Sequence, residues 1–206
     1  AAFEHIIRGE VGKALLPKMS DKRVTFLGFT CVMPRVVWTR MPCKNLAELQ
    51  KKKIRTTSSK MHIATINNLG MTAVPMPWAE TFTALQQGAL DGQENPYCNI
   101  YTQGIYEVQG YIIETAHTFD IVPLLVSEEA YEKLPEEYQK ILDDAVDKLT
   151  MEQWEMAAES EAEYKQKILD SGKCQIIELT PEERLAFRDA AQPVYDMYVE
   201  EHGSEL

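Results

Sequence analysis

The chain has 206 residues, 45% apolar and 26% charged, which is an ordinary globular composition and enough length to bury a real core in one large or two small domains. No apolar run approaches the roughly 20 residues that span a bilayer, and Ala1-Ala2-Phe3-Glu4-His5 lacks the basic flank and apolar stretch of a signal peptide. The net charge of −11 is uneven, with 13 basic and 4 acidic side chains in residues 1–60 against 8 and 28 in the rest. The short run Lys51-Lys52-Lys53-Ile54-Arg55 has no interleaved aromatics, so the pattern argues against nucleic acid and for a few arginines serving an anionic small molecule.

In chain order, Phe3, Ile6-Ile7, Val11 and Leu15-Leu16 predict a helix over 3–19. Val24 to Phe29 reads as a buried strand and Val36 to Thr39 as a second. Asn45 to Gln50 reads as a short helix capped by Asn45. Residues 53–57 form a third strand leading into a helix over 62–69, and 72–76 form a fourth. The stretch from Met76 to Pro96 organises the rest. Trp78, Phe82 and Leu85 share one helical face, Gly88 stops the helix, and Asp91-Gly92 makes a turn. Asn95 and Pro96 then suit the N-cap and first position of the next helix, which aims Gln93-Glu94-Asn95 into a helix N-terminus that favours anions. Two readings stay open there: Asn95 caps and Glu94 is solvated, or both belong to an anion site.

Tyr106 to Glu114 and Thr118 to Val126 predict two more strands, and Ser127 caps a short helix. One long helix follows from about 135 to 171, ended by Gly172. At about 1.5 Å per residue it would run roughly 50 Å, more than one small domain requires. Cys174 to Leu179 is a last strand, and Thr180-Pro181-Glu182-Glu183 opens a final helix with a capping box. Alternating strands and helices argue for an α/β fold with a largely parallel sheet, whose ligands sit at the carboxyl ends of the strands. Arg55, Met76-Pro77-Trp78 and Glu94-Asn95 all fall at such ends.

No nucleophile elbow, phosphate loop, dinucleotide turn or His-Glu-x-x-His pair occurs. Cys31, Cys43, Cys98 and Cys174 form no Cys-x-x-Cys pair, which excludes a zinc ribbon or redox motif and leaves disulfides unassigned. His5, His62, His117 and His202 stand in unrelated contexts, which argues against a histidine metal site. No metal or cofactor is expected. What remains is arginine, amide, carboxylate and tryptophan, a set suited to holding a carboxylate rather than to making or breaking bonds.

The run from Pro75 to Pro96 closely resembles the signature of the solute-binding proteins of tripartite ATP-independent periplasmic (TRAP) transporters, the dicarboxylate-receptor type. The resemblance extends to Asn45-Leu46-Ala47-Glu48-Leu49 before Lys53-Ile54-Arg55, to Glu132 through Glu137, and to Glu178 through Arg184, so it covers nearly the whole chain. It implies a two-domain periplasmic-binding-protein-like fold with a hinge cleft and one long domain-spanning helix. Residues 1–32 would be the remainder of domain I, 33–118 the ligand-binding domain II, and 119–206 the return to domain I. It further implies a periplasmic receptor that binds a small organic acid and passes it to TRAP transporter membrane subunits, without catalysis and without being membrane-embedded itself.

Position by position, Arg55 matches the arginine that pairs with the ligand carboxylate, and Arg35 resembles a second one. Asn95, with Glu94 beside it, matches the asparagine of the carboxylate region. Trp78 stands for an aromatic that packs on the ligand, while His117 and Ser58 match polar site positions of some members. Two departures stand out. Lys51-Lys52 replaces a Lys-Gly pair, which should cost little beyond local turn chemistry. The opening βαβ portion has no counterpart in residues 1–30, so roughly a third of a full receptor is expected to be missing. The competing readings are a small-acid-processing enzyme using Glu94 and His117, and a fragment that binds nothing.

Overall fold

The computed structural model describes residues 9–12, 14 and 23–203. The helix expected over 3–19 lies mostly outside them; its described residues 10–12 and 14 are helical. The described chain forms a mixed α/β fold whose residues cluster into two units, 9–12, 14 and 23–32 with 120–159, and 33–119 with 160–203. The C-terminal strand and helix thus group with 33–119, whereas the resemblance places them with 119–206 in domain I.

In the first unit, strand β1 (Val24–Thr39) contributes its N-terminal half and strand β5 (Tyr111–Ser127) its C-terminal half. They are joined there by helix α4 (Glu128–Glu132) and residues 136–159 of helix α5 (Glu136–Asp170). Gly28 lets α5 lie close on β1, since a Cβ there would stand 2.9 Å from Val146 Cγ1. Gln153 completes the contact by bonding both the N–H and the carbonyl of Cys31, at 3.0 and 2.7 Å. The strand pairs expected over 24–29 with 36–39, and over 106–114 with 118–126, are instead one long strand each; the breaker Pro34 does not end β1. Ile105–Glu107 is a 3-10 turn. Residues 24–29 are half-buried rather than buried. Tyr138, Ile141 and Leu149 of α5 are exposed, because the face against β1 is drawn by Val146, Thr150 and Gln153.

The second unit carries the other strands: β2 (Lys53–Thr56), β3 (Thr72–Pro75), β4 (Gly92–Asn95) and β6 (Gln175–Ile177). The strand order is β3-β2-β4-β1-β5-β6. Pairing is parallel for β2 with β3, β2 with β4 and β5 with β6, and antiparallel for β1 with β4, so the sheet is mixed. Its helices are α1 (Lys60–Asn68), α2 (Trp78–Gln86), α3 (Tyr97–Thr102) and α6 (Pro181–His202), the last opened by the expected capping box at Thr180 and Glu183. Two apolar clusters cover opposite faces of the sheet. One joins Val36, Trp38, Leu85, Tyr97, Ile112 and Ile168, with Trp78 and Phe82 packed against it. The other joins Val37, Ile54, Ile66, Ile113, Leu179 and Phe187. Alternation along β1 puts Val36 and Val37 into different clusters, as a period of two requires.

Two local expectations change, and the departure at Lys51-Lys52 shows its turn chemistry. Residues 45–50 form turns, although Asn45 Oδ1 accepts from Glu48 N at 3.1 Å and Glu48 accepts from Lys44 N at 2.8 Å. Lys51, standing in the replaced Lys-Gly pair, takes the left-handed φ of 64° that glycine adopts without strain. Gly92 begins a fully buried strand rather than a turn, and Asn95 ends that strand rather than capping a helix. Packing decides this: a Cβ at Gly92 would lie 2.1 Å from the Trp38 carbonyl oxygen, so only glycine lets β4 fit between β1 and β2.

Candidate functional site

The parallel strands β2, β3 and β4 end together at Thr56, Pro75 and Asn95, and the polar side chains gather at these carboxyl ends. Pro75 and Pro77 bracket Met76. Its N–H donates to the Thr56 carbonyl at 3.3 Å, and its own carbonyl accepts from Arg55 Nε and Nη2 at 3.0 and 2.7 Å. The Trp78 ring then lies 5.1 Å from the Arg55 guanidinium carbon, a cation–π contact. Arg55, Thr57, Ser58, Pro75, Met76 and Pro77 line a concavity of about 300 Å³.

Arg55 and Arg35 are equally buried, each 5% exposed, yet their electrostatic situations differ. No carboxylate among the described residues pairs with Arg55. Burial pushes its pKa down, an effect that Glu94 opposes and Arg35 reinforces. The edge carrying Nε and Nη2 is held by the Met76 carbonyl, which leaves the Nη1 end of the fork for an acceptor.

Arg35, by contrast, pairs with Glu94. Its Nε and Nη2 donate to the two carboxylate oxygens, the Nη2–Oε1 distance being 3.0 Å, and Nη2 also meets the Glu94 carbonyl at 2.9 Å. Thr56 Oγ1 donates to Glu94 Oε1 at 2.8 Å, and His117 Nε2 lies 3.6 Å from Oε2 with its Nδ1 2.7 Å from Thr115 Oγ1. Burial raises the Glu94 pKa, but His117 beside it and the hydrogen bonds and charge of Arg35 overcome it and hold the carboxyl at about 2.

Register sorts the seven expected residues by face. Gln93 stands opposite Trp38 and beside Arg55, while Glu94 stands opposite Val37. Arg55 and Gln93 therefore share one face. Asn95 joins it, donating from Nδ2 to Gln93 Oε1 at 2.8 Å, and Trp78 lies over Arg55. Ser58 borders the same concavity. Arg35, Glu94 and His117 form a closed group on the other face at the same strand ends. Sequence reasoning missed Thr56 and the Met76 carbonyl and named Gln93 only within the Gln93-Glu94-Asn95 cluster; for the Met76 carbonyl, two prolines around one residue were a visible sign that it is free of the ladder. It also missed Glu161, whose carboxylate accepts from Tyr97 N at 2.8 Å and Cys98 N at 3.2 Å. The anion expected at that helix N-terminus is thus one of the protein's own side chains. Cys43, Cys98 and Cys174 are free thiols, and among the described residues no group of three His, Cys, Asp or Glu could hold a metal. No described helix is long and apolar enough to cross a membrane.

The chain is similar to the C4-dicarboxylate-binding periplasmic protein DctP of Rhodobacter capsulatus, 31% identical over 204 residues, which are 99% of this chain and 61% of that protein. It is similar in structure to a TRAP periplasmic solute-binding protein of Shewanella oneidensis with bound succinate, with a TM-score of 0.90 and 33% identity over 97% of this chain and 65% of that one. A TRAP solute-binding protein of Desulfovibrio salexigens with bound orotic acid also reaches 0.90, at 26% identity over 98% and 65%. The chain therefore spans about three fifths of the length of its curated relative. The family described as bacterial extracellular solute-binding protein, family 7, matches residues 1–202, and this chain belongs to it.

Proposed function

We propose that this chain is the carboxylate-recognising part of a periplasmic receptor that binds a small organic acid and delivers it to the membrane subunits of a TRAP transporter. The observation that carries this reading is Arg55, a buried guanidinium with no carboxylate partner among the described residues, clamped by the Met76 carbonyl and Trp78 beside a concavity. Such an arrangement is costly unless an anion arrives to pair with it. An acid lying across the ends of β2 and β4 would meet Arg55, Asn95, Trp78 and Ser58 from one face. From the other it would meet the charge-compensated group Arg35, Glu94 and His117. The succinate and orotate bound by the two structural relatives are both carboxylates, which supports the ligand class.

The receptor returns its ligand unchanged. An acid–base pair of Glu94 and His117 is disfavoured, because Glu94 is held at about 2 and its oxygens are taken by Arg35 and Thr56. A general acid or base works best with a pKa near the operating pH. The test is native mass spectrometry of the purified protein, with identification of what is released on denaturation, followed by calorimetric titration with succinate, malate and a hexuronate. A carboxylic acid recovered intact, or micromolar binding of one of the three, is the expected result. A protein that neither carries nor binds any acid, or that transforms one, overturns the proposal.

A further inference from the structure

We infer that Glu161 of α5 is a positioning residue for Asn95, fixing the direction in which that amide offers its hydrogen. The inference rests on the reading of Asn95 as a ligand contact. Helix α3 begins two residues after Asn95, and its N-cap position is Pro96, which has no side-chain acceptor for the first N–H groups of the helix. Glu161, 9% exposed, takes that role from a distant part of the chain, with one oxygen on Tyr97 N and the other on Cys98 N. The carboxylate complements the partial positive charge there.

Pinning α3 in this way pins Asn95 through the helix itself. Asn99, one turn on, donates from Nδ2 to Asn95 Oδ1 at 3.2 Å, while Asn95 Nδ2 donates to Gln93 Oε1 at 2.8 Å. Gln93 is wholly buried and stands beside Arg55 in the sheet. The acceptor of Asn95 is thereby engaged and one Nδ2 hydrogen remains. Asn95 is set as a donor on the face of Arg55, which matches a ligand carboxylate. If Glu161 releases α3, Asn99 loses its place and the Asn95 amide can turn.

The test compares Glu161→Ala and Glu161→Gln with the unsubstituted 206-residue chain, using ¹⁵N-resolved side-chain amide signals and backbone hydrogen exchange without ligand, then titration with succinate. In Glu161→Ala, exchange at Tyr97 and Cys98 should quicken, the Asn95 side-chain signal should shift, and succinate affinity should fall about tenfold, the worth of one oriented hydrogen bond. Glu161→Gln keeps only one of the two oxygen acceptors, so it should shift the Asn95 signal less than Glu161→Ala but measurably, with a smaller loss of affinity, and it decides the matter if the alanine variant does not fold. Should the Asn95 signal in either folded variant match the unsubstituted protein while only thermal stability drops, Glu161 is a helix cap and nothing more. Failure of the unsubstituted chain to bind succinate or any other acid counts against the proposed function instead, and the ligand-free Asn95 signal still decides the role of Glu161.

Discussion

Replacing Arg55 separates binding from stability in a way that replacing Arg35 cannot. In Arg55→Met the buried cation is gone, and no carboxylate among the described residues is left without its partner. The protein loses two hydrogen bonds to the Met76 carbonyl and the contact with Trp78, but no longer carries a desolvated charge. Two ordinary hydrogen bonds are worth about 1 kcal/mol each, and relief of the buried charge offsets them, so the ligand-free unfolding free energy should move by less than about 1 kcal/mol. Binding should collapse, since removing one partner of a buried ion pair costs about 3–5 kcal/mol, or between two and four orders of magnitude in Kd. Arg55→Lys keeps the charge without the fork and should fall between the two. Arg35→Met strands the Glu94 carboxylate in a buried site and should lower ligand-free stability by about 3–5 kcal/mol. Calorimetric titration with succinate and urea unfolding of the four proteins supply both axes. An Arg55→Met protein that binds as tightly as the original, or that loses as much stability as Arg35→Met, refutes the assignment of Arg55 to the ligand.

Glu94 should make the protein sensitive to acid. Its folded pKa of about 2 lies below the ordinary 4.5, so its contribution is fully present above about pH 4.5 and disappears as pH falls toward 2. A shift of this size is worth on the order of 3 kcal/mol, and urea unfolding from pH 6 to 2 should show a decline that Glu94→Gln flattens. Gly92→Ala drives a methyl to 2.1 Å from the Trp38 carbonyl oxygen and should break the pairing of β4 with β1. Loss of more than about 3 kcal/mol, or insoluble expression, is expected, and a near-normal melting temperature contradicts the close approach. Lys51→Gly removes the strain of a left-handed φ and should raise stability by about 0.5–1 kcal/mol; a lower melting temperature would mean that the Lys51 side chain contributes more than its backbone costs.

The amino-acid sequence by itself determined the α/β class, the short parallel strands 53–56 and 72–75, the helix over 78–86 with its buried Leu85, the 35-residue helix and the capped last helix. These depend on periodicity and on caps, which act between neighbours along the chain. Arg55 and the Pro-Met-Pro-Trp run were legible for the same reason: strand ends and prolines mark where backbone groups leave the ladder. Tertiary structure decided the rest. Asp91-Gly92 reads locally as a turn, and only the closeness of β1 makes it a strand. Arg35 and Arg55 have the same side chain and the same burial, and a partner 59 residues away determines which of them is already neutralised. The anion at the N-terminus of α3 comes from Glu161, 64 residues from Tyr97. Electrostatic and packing partners are chosen by distance in space, and no local pattern encodes which distant side chain arrives.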